Sequence, residues 1–316
     1  MSGRPFWRLQ AERRNDVVRT GDIAEVIVRC AAMLRGGVPP GGVFGKLSAE
    51  AGAPLAVREI AQRVDTGATV AEAIAAEVGE EWNLLAAAWS LAEYSGAPLG
   101  PVLDRMVAAL RSVEALSERR SVLLAGPRAT VTLVLTLPPV ALGLGWLLGF
   151  DPSPVLFSPL GAVLLCVGVF LLLCGALWTR ALTKRVEQAD HVAGLEFDLV
   201  WITLSAGQVH QEAMRCVVDS IDRFQVQWVP FDAFLLESGL QVTLRRARSV
   251  GAPVRQTLLD AADTARLRAL AEMERAAERL GVRILMPLGM CVLPSFMVMG
   301  VLPVVISMLS GSHLVW

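Results

Sequence analysis

The stretch from Ala129 to Thr179 constrains this chain more than any other. Its only charged residue is Asp151, with about 22 uncharged residues before it and about 28 after it. Roughly 20 apolar residues suffice to cross a bilayer core as a helix. Phe150-Asp-Pro-Ser-Pro154 between the two runs is a turn composition. The segment therefore reads as a transmembrane hairpin, with spans at 129–150 and 159–179 and an exterior loop at 151–158. A third apolar run, 284–309, follows Arg283, and Pro287, Pro294 and Pro303 kink it. Such kinks are tolerated where neighbouring helices satisfy the freed carbonyls.

The charges are segregated around these runs. All 29 Lys and Arg lie within 1–128 or 180–283. Arg119, Arg120 and Arg128 precede the first run, Arg180, Lys184 and Arg185 follow the second, and Arg279 and Arg283 precede the third. Basic flanks stay in the cytoplasm. The expected topology has the N-terminus inside, the loop outside, residues 180–283 inside and the tail 310–316 outside. A chain that is 54% hydrophobic and 19% charged suits neither an ordinary soluble protein nor one embedded throughout. The net charge of -1 offers no field for nucleic acid.

Both cytoplasmic segments carry helical periodicity. Residues 1–20 read as a basic lead-in that lacks the apolar core of a signal peptide. In 21–128, Ile23, Ile27, Ala31 and Leu34 share one helix face, and Val57, Ile60 and Val64 another. Asp22-x-x-Glu25 and Thr69-x-x-Glu72 have the form of capping boxes. Gly36-Gly37, Asp65-Thr-Gly67 and Ser95-Gly96 break the helices, and Pro98 opens a long one. In 180–283 the pattern predicts a helix from about Leu182 to Gly207, one around Met214–Ile221, one from Pro230 to Gly251 and a long one from Pro253. No alternating strand pattern flanked by turns is present. The expected fold is an all-α membrane protein with two cytoplasmic helical-bundle domains, 21–128 and 180–283, and three transmembrane helices.

The two cytoplasmic segments resemble copies of one unit. Ser95-Gly-Ala-Pro-Leu-Gly-Pro-Val-Leu103 parallels Val250-Gly-Ala-Pro-Val-Arg-Gln-Thr-Leu258, and Leu34-Arg-Gly-Gly37 parallels Leu204-Ser-Ala-Gly207. The second copy lacks a counterpart of Gly67–Ile74, and Arg248 stands where the first copy has Glu93.

The order Leu34–Gly37, Gly67–Ile74, Ala92–Leu103, then a long helix into an apolar run, resembles the type II secretion system F domain. Leu285–Phe296 is similar to the last membrane segment of Tad-type pilus platform proteins, the B and C subunits. The resemblance implies a non-enzymatic, cofactor-free platform in the bacterial inner membrane. Such a platform couples a cytoplasmic assembly ATPase to pilin extraction and assembly, with itself or a second platform subunit as partner. It implies partner-binding residues at Leu34, Gly37, Glu93 and Gly96. For Glu93 the plainer alternative is a carboxylate bonded to a neighbouring helix terminus or Arg, and for Gly96 a helix C-cap.

Other chemistries fit less well. Gly41-Gly-Val-Phe-Gly-Lys-Leu-Ser48 approaches a phosphate-binding loop, but its first glycine is one place too close and Leu47 occupies the hydroxyl position. His210 and Glu212 have no partner histidine at ligand spacing. The five cysteines, Cys30, Cys166, Cys174, Cys216 and Cys291, show neither zinc spacing nor a disulfide pattern and read as packing residues. A small transporter or channel would place ionisable groups at mid-membrane. A membrane-anchored enzyme would need a nucleophile, an acid–base pair or a metal set. The sequence displays none of these.

Overall fold

The computed structural model describes residues 20–147, 159–187, 192–235, 237–302 and 305. The expected lead-in (apart from Thr20), the exterior loop 151–158 and the exterior tail 310–316 lie outside the described residues. Helices joined by turns and short irregular connections make up the described residues, with no strand among them.

The helices run α1 Thr20–Arg35, α2 Val43–Ser48, α3 Leu55–Asp65, α4 Val70–Ala75, α5 Glu80–Ser95, α6 Leu99–Leu147, α7 Pro159–Glu187, α8 Leu195–Ser205, α9 His210–Arg223, α10 Gly239–Val250 and α11 Val254–Arg283. Short α turns at Leu285–Pro287 and Leu293–Phe296 then alternate with π turns at Leu288–Val292 and Met297–Val301. Proline supplies no N–H to the helix ladder, so widened turns around Pro287 and Pro294 are a natural response.

Local sequence explains most of the boundaries. The Thr69 hydroxyl accepts the Glu72 N–H while the Glu72 carboxylate accepts the Thr69 N–H, a complete capping box. Asp22 lies within the first turn of α1 instead of at a cap, and there its charge favours the helix dipole. Gly96 and Gly251 both end their helices in the left-handed region, at φ 76° and 71°. Two of the expected helices differ from the structure. The one expected over 182–207 is broken at Gly194, where α8 begins. The one expected from Pro230 is a 3-10 turn at Phe231–Phe234, and the helix proper starts after Ser238, whose side chain accepts the Gln241 N–H. The Gly41–Ser48 stretch is a 3-10 turn and a short helix that buries Val43, Phe44 and Leu47.

The chain divides into two units, residues 1–117 with 190–269 and residues 118–189 with 270–316. The first unit has one hydrophobic core drawn from both repeats. Ile27, Phe44, Ile60, Trp82, Trp89 and Leu103 belong to it, as do Leu199, Val217, Leu244 and Leu258. The segments that the hairpin separates in sequence thus share a single interior. Phe44 and Trp89 pack with ring centroids 5.9 Å apart.

In the second unit, large apolar side chains point outward. Phe170 is 70% exposed, and Leu173, Leu177, Leu285, Met290 and Leu293 are also exposed. Contiguous exposure of this kind marks a surface meant for something other than water. Two described stretches, Gly161–Thr183 and Val254–Met299, are long and apolar enough to cross a membrane. The expected span at 129–150 falls on the end of α6 as far as Leu147, where Leu133, Val140 and Leu144 are exposed. Close packing in this unit uses small residues on α7: a Cβ at Gly168 would meet Met299, and one at Gly175 would meet Cys291 and Val292. Buried Ser295 donates to the Gly168 carbonyl at 2.8 Å, so its hydroxyl is satisfied within the protein.

Candidate functional site

The first unit holds an ion cluster built on one buried carboxylate. Asp198 lies in the apolar helix α8 and its side chain is 0% exposed. Arg105 of α6 donates to Asp198 Oδ1 from Nε at 3.0 Å and from Nη2 at 2.7 Å. Arg266 of α11 donates to Asp198 Oδ2 from Nη2. Asp263, 59% exposed, accepts from Arg105 Nη2 at 3.2 Å and from Arg266 Nη1 at 3.0 Å. The cluster pairs two cations with two anions and sums to zero charge. Burial pushes the Asp198 carboxyl upward, and the two guanidiniums pull against it. Oδ1 accepts two N–H bonds from Arg105 and Oδ2 one from Arg266, a geometry that fits the carboxylate form.

This arrangement is mechanical in character. α6 belongs to the first repeat, and α8 and α11 to the second; both α6 and α11 run on towards apolar segments. Asp198 therefore fastens the two long helices to each other through a third. Two shorter links act likewise: Arg223 Nη2 meets Glu72 Oε1 at 3.0 Å, and the Gln227 N–H meets Glu80 Oε2 at 3.0 Å. Gly194 lets α8 approach α11 closely, since a Cβ there would stand 2.7 Å from the Ala262 carbonyl oxygen.

The four residues expected to bind a partner sit at helix ends. Leu34 packs on the core, and its carbonyl accepts the Gly37 N–H at 3.1 Å; Gly37 has φ 86°. Glu93 accepts the buried Trp89 indole N–H at 2.8 Å, a bond within its own helix. Gly96 closes α5 as a C-cap. Arg35, next to Leu34, pairs with Asp104 of α6 at 3.2 Å, so the end of α1 and the start of α6 meet. The corresponding backbone geometry recurs in the second repeat at Gly207, φ 85°, and Gly251. Asp198 itself was not among the sequence candidates. Its signal was available: an acid between Phe197 and Leu199 in a run that is otherwise almost wholly apolar.

Among the described residues no three His, Cys, Asp or Glu side chains come together in a way that would hold a metal. Residues 27–146, which span most of α1 through nearly all of α6, match the family model described as type II secretion system (T2SS), protein F. Over those residues the chain is similar to a type II secretion system F domain. F-domain proteins are inner-membrane platform components of secretion and pilus-type machines, generally non-enzymatic, and work with an assembly ATPase. No curated protein matches the chain. The F-domain match covers the first repeat and includes Arg105, but not the second repeat that supplies Asp198, Asp263 and Arg266.

Proposed function

We propose that this chain is the inner-membrane platform of a Tad/Flp pilus, type IV pilus or type II secretion machine, transmitting the motion of a cytoplasmic ATPase to pilins drawn from the membrane. The observation that carries the reading is the F-domain match over residues 27–146, whose last element, the 49-residue helix α6, holds both Arg105 and an apolar run. A rigid helix passes displacement along its axis, and a buried neutral cluster resists shear between neighbouring helices. In this reading the chain has cytoplasmic domains at 21–128 and 180–283, three spans at 129–150, 159–179 and 284–309, and its C-terminus outside. The surface bearing Leu34, Gly37, Glu93 and Gly96 receives the ATPase, and the chain assembles with itself or with a second platform subunit.

Two experiments test this reading. Co-purification of the full chain in detergent with a secretion-type assembly ATPase from the same cells is expected, and a Gly37→Asp, Glu93→Lys variant should lose it. Failure to capture that ATPase would refute the coupling role. Cysteine introduced at Ser153 or Ser312 should react with an impermeant maleimide in intact cells, and at Ser48 or Ser249 only after lysis. Labelling at Ser249 in intact cells would overturn the topology.

A further inference from the structure

The duplication provides an internal control for what each repeat adds to the shared fold. Where the first repeat has Val38, Pro40, Glu93 and Gly100, the second has Gln208, His210, Arg248 and Arg255. All four second-repeat residues line one cavity of about 380 Å³, together with Leu204, Pro253 and Val254. Because the first repeat makes the same turns with none of these side chains, the backbone geometry does not require them.

The cavity has a physical origin. In the first repeat Arg35 lies against Gly100, whose Cβ would meet Arg35 Cγ at 3.6 Å, and Arg35 pairs with Asp104. The corresponding second-repeat residues are Ser205 and Leu259, which cannot form such an ion pair. Two helices begin at the cavity, α9 of 14 residues and α11 of 30. Their caps, Val209 and Pro253, have no side-chain acceptor for the first N–H groups. The Gln208 Oε1 and His210 Nδ1 atoms are buried without a partner. Burial, then the charge on Arg248, holds the His210 imidazole below its ordinary range, so the cavity's positive charge belongs to Arg248 and Arg255. Glu212, in the same first turn of α9, interacts with Tyr94.

Two uncapped helix N-termini and two exposed arginines converge on a site suited to an oxyanion. The flanking residues narrow the choice. Val209 is 70% exposed and Val250 is 82% exposed, each next in sequence, or nearly so, to cavity-lining residues. A free phosphate would leave those valines in water, whereas a peptide with alternating acidic and apolar side chains would cover them. We propose that the second repeat docks an acidic, apolar segment of a partner protein in the cleft between residues 204–210 and 248–255, a carboxylate entering between Arg248 and Arg255. The proposal deepens the platform reading by naming a partner chemistry for the repeat outside the F-domain match, and its anion preference follows from the cleft alone.

The test uses the purified full chain in neutral phosphatidylcholine nanodiscs. The probe is a fluorescent peptide of alternating Glu and Leu, read by anisotropy. Saturable, salt-weakened binding is expected. Arg248→Glu with Arg255→Glu should weaken it by about tenfold or more, while Arg58→Glu, an exposed arginine on α3, should leave it unchanged. A Gln-for-Glu probe should bind correspondingly weakly. Unaltered thermal melting keeps a folding defect from imitating the loss. The proposal is overturned if the Gln probe binds equally, if the Arg58 change matters as much, or if inorganic phosphate binds and the peptide does not. None of these outcomes depends on ATPase capture, so this site and the platform reading can fail separately.

Discussion

Replacing Asp198 by alanine gives the sharpest test of how the first unit is held together. The change removes the only fully buried carboxylate of the cluster and leaves Arg105 and Arg266, 18% and 13% exposed, facing each other. Asp263, 59% exposed, remains as a weak, solvent-screened counter-charge. Removing one partner of a buried pair destabilises by about 3–5 kcal/mol. For a unit of this size each kcal/mol moves the melting midpoint by roughly 2–4 °C. Asp198→Ala should therefore lower the midpoint by roughly 6–20 °C. Trp82 and Trp89, both buried in this unit, report the transition by fluorescence in nanodiscs. A variant with all three groups made apolar, Arg105→Met with Asp198→Leu and Arg266→Met, should recover most of the loss, because no uncompensated charge remains. Asp263→Ala should cost only about 1 kcal/mol or less. A midpoint change under about 2 °C for Asp198→Ala would refute the reasoning, as would a triple variant no better than the single one.

Further expectations rest on single contacts. Hydrogen bonds from Thr69, then the Arg223 charge, hold the Glu72 carboxyl below its ordinary value. A depressed carboxyl contributes stability above its unfolded pKa and loses it as pH falls through the folded one. The acid limb of a stability–pH curve, below about pH 4.3, should therefore flatten in Glu72→Gln; an unchanged limb would count against the assignment. Thr69→Ala should cost about 1 kcal/mol in denaturant melts through the lost cap. Gly194→Ala combines φ +90° with a 2.7 Å approach to the Ala262 oxygen and should cost roughly 2–4 kcal/mol. Gly207→Ala, at φ +85° in open space, should cost only about 1–2 kcal/mol, and equal losses would show that the close approach is unimportant. Burial pushes the Cys30 thiol up to about 12, so a maleimide should reach it only after unfolding; rapid labelling of the native chain at this residue would contradict its placement.

Signals carried by neighbouring residues were legible in the sequence. The Thr69 box, the glycines that end α1, α5, α8 and α10, and the outward apolar faces of the long helices follow from local geometry and hydropathy. The two Gly-Ala-Pro turns were legible too, because each needs a left-handed residue that few side chains tolerate, Gly96 and Gly251. The pieces misread were those where tertiary packing overrides periodicity. α8 starts just after Gly194, where the chain passes close to α11, a neighbour 68 residues away in sequence at Ala262.

By itself the sequence determined that this chain is helical and strongly apolar in three runs, since both properties are set by spacing along the chain. Only the tertiary structure decided that both repeats share one core and that Asp198 is clasped by Arg105 and Arg266. It also decided that Gln208, His210, Arg248 and Arg255 line one cavity. Electrostatics between residues far apart in sequence depends on distance and burial in space, and no pattern of neighbours encodes either.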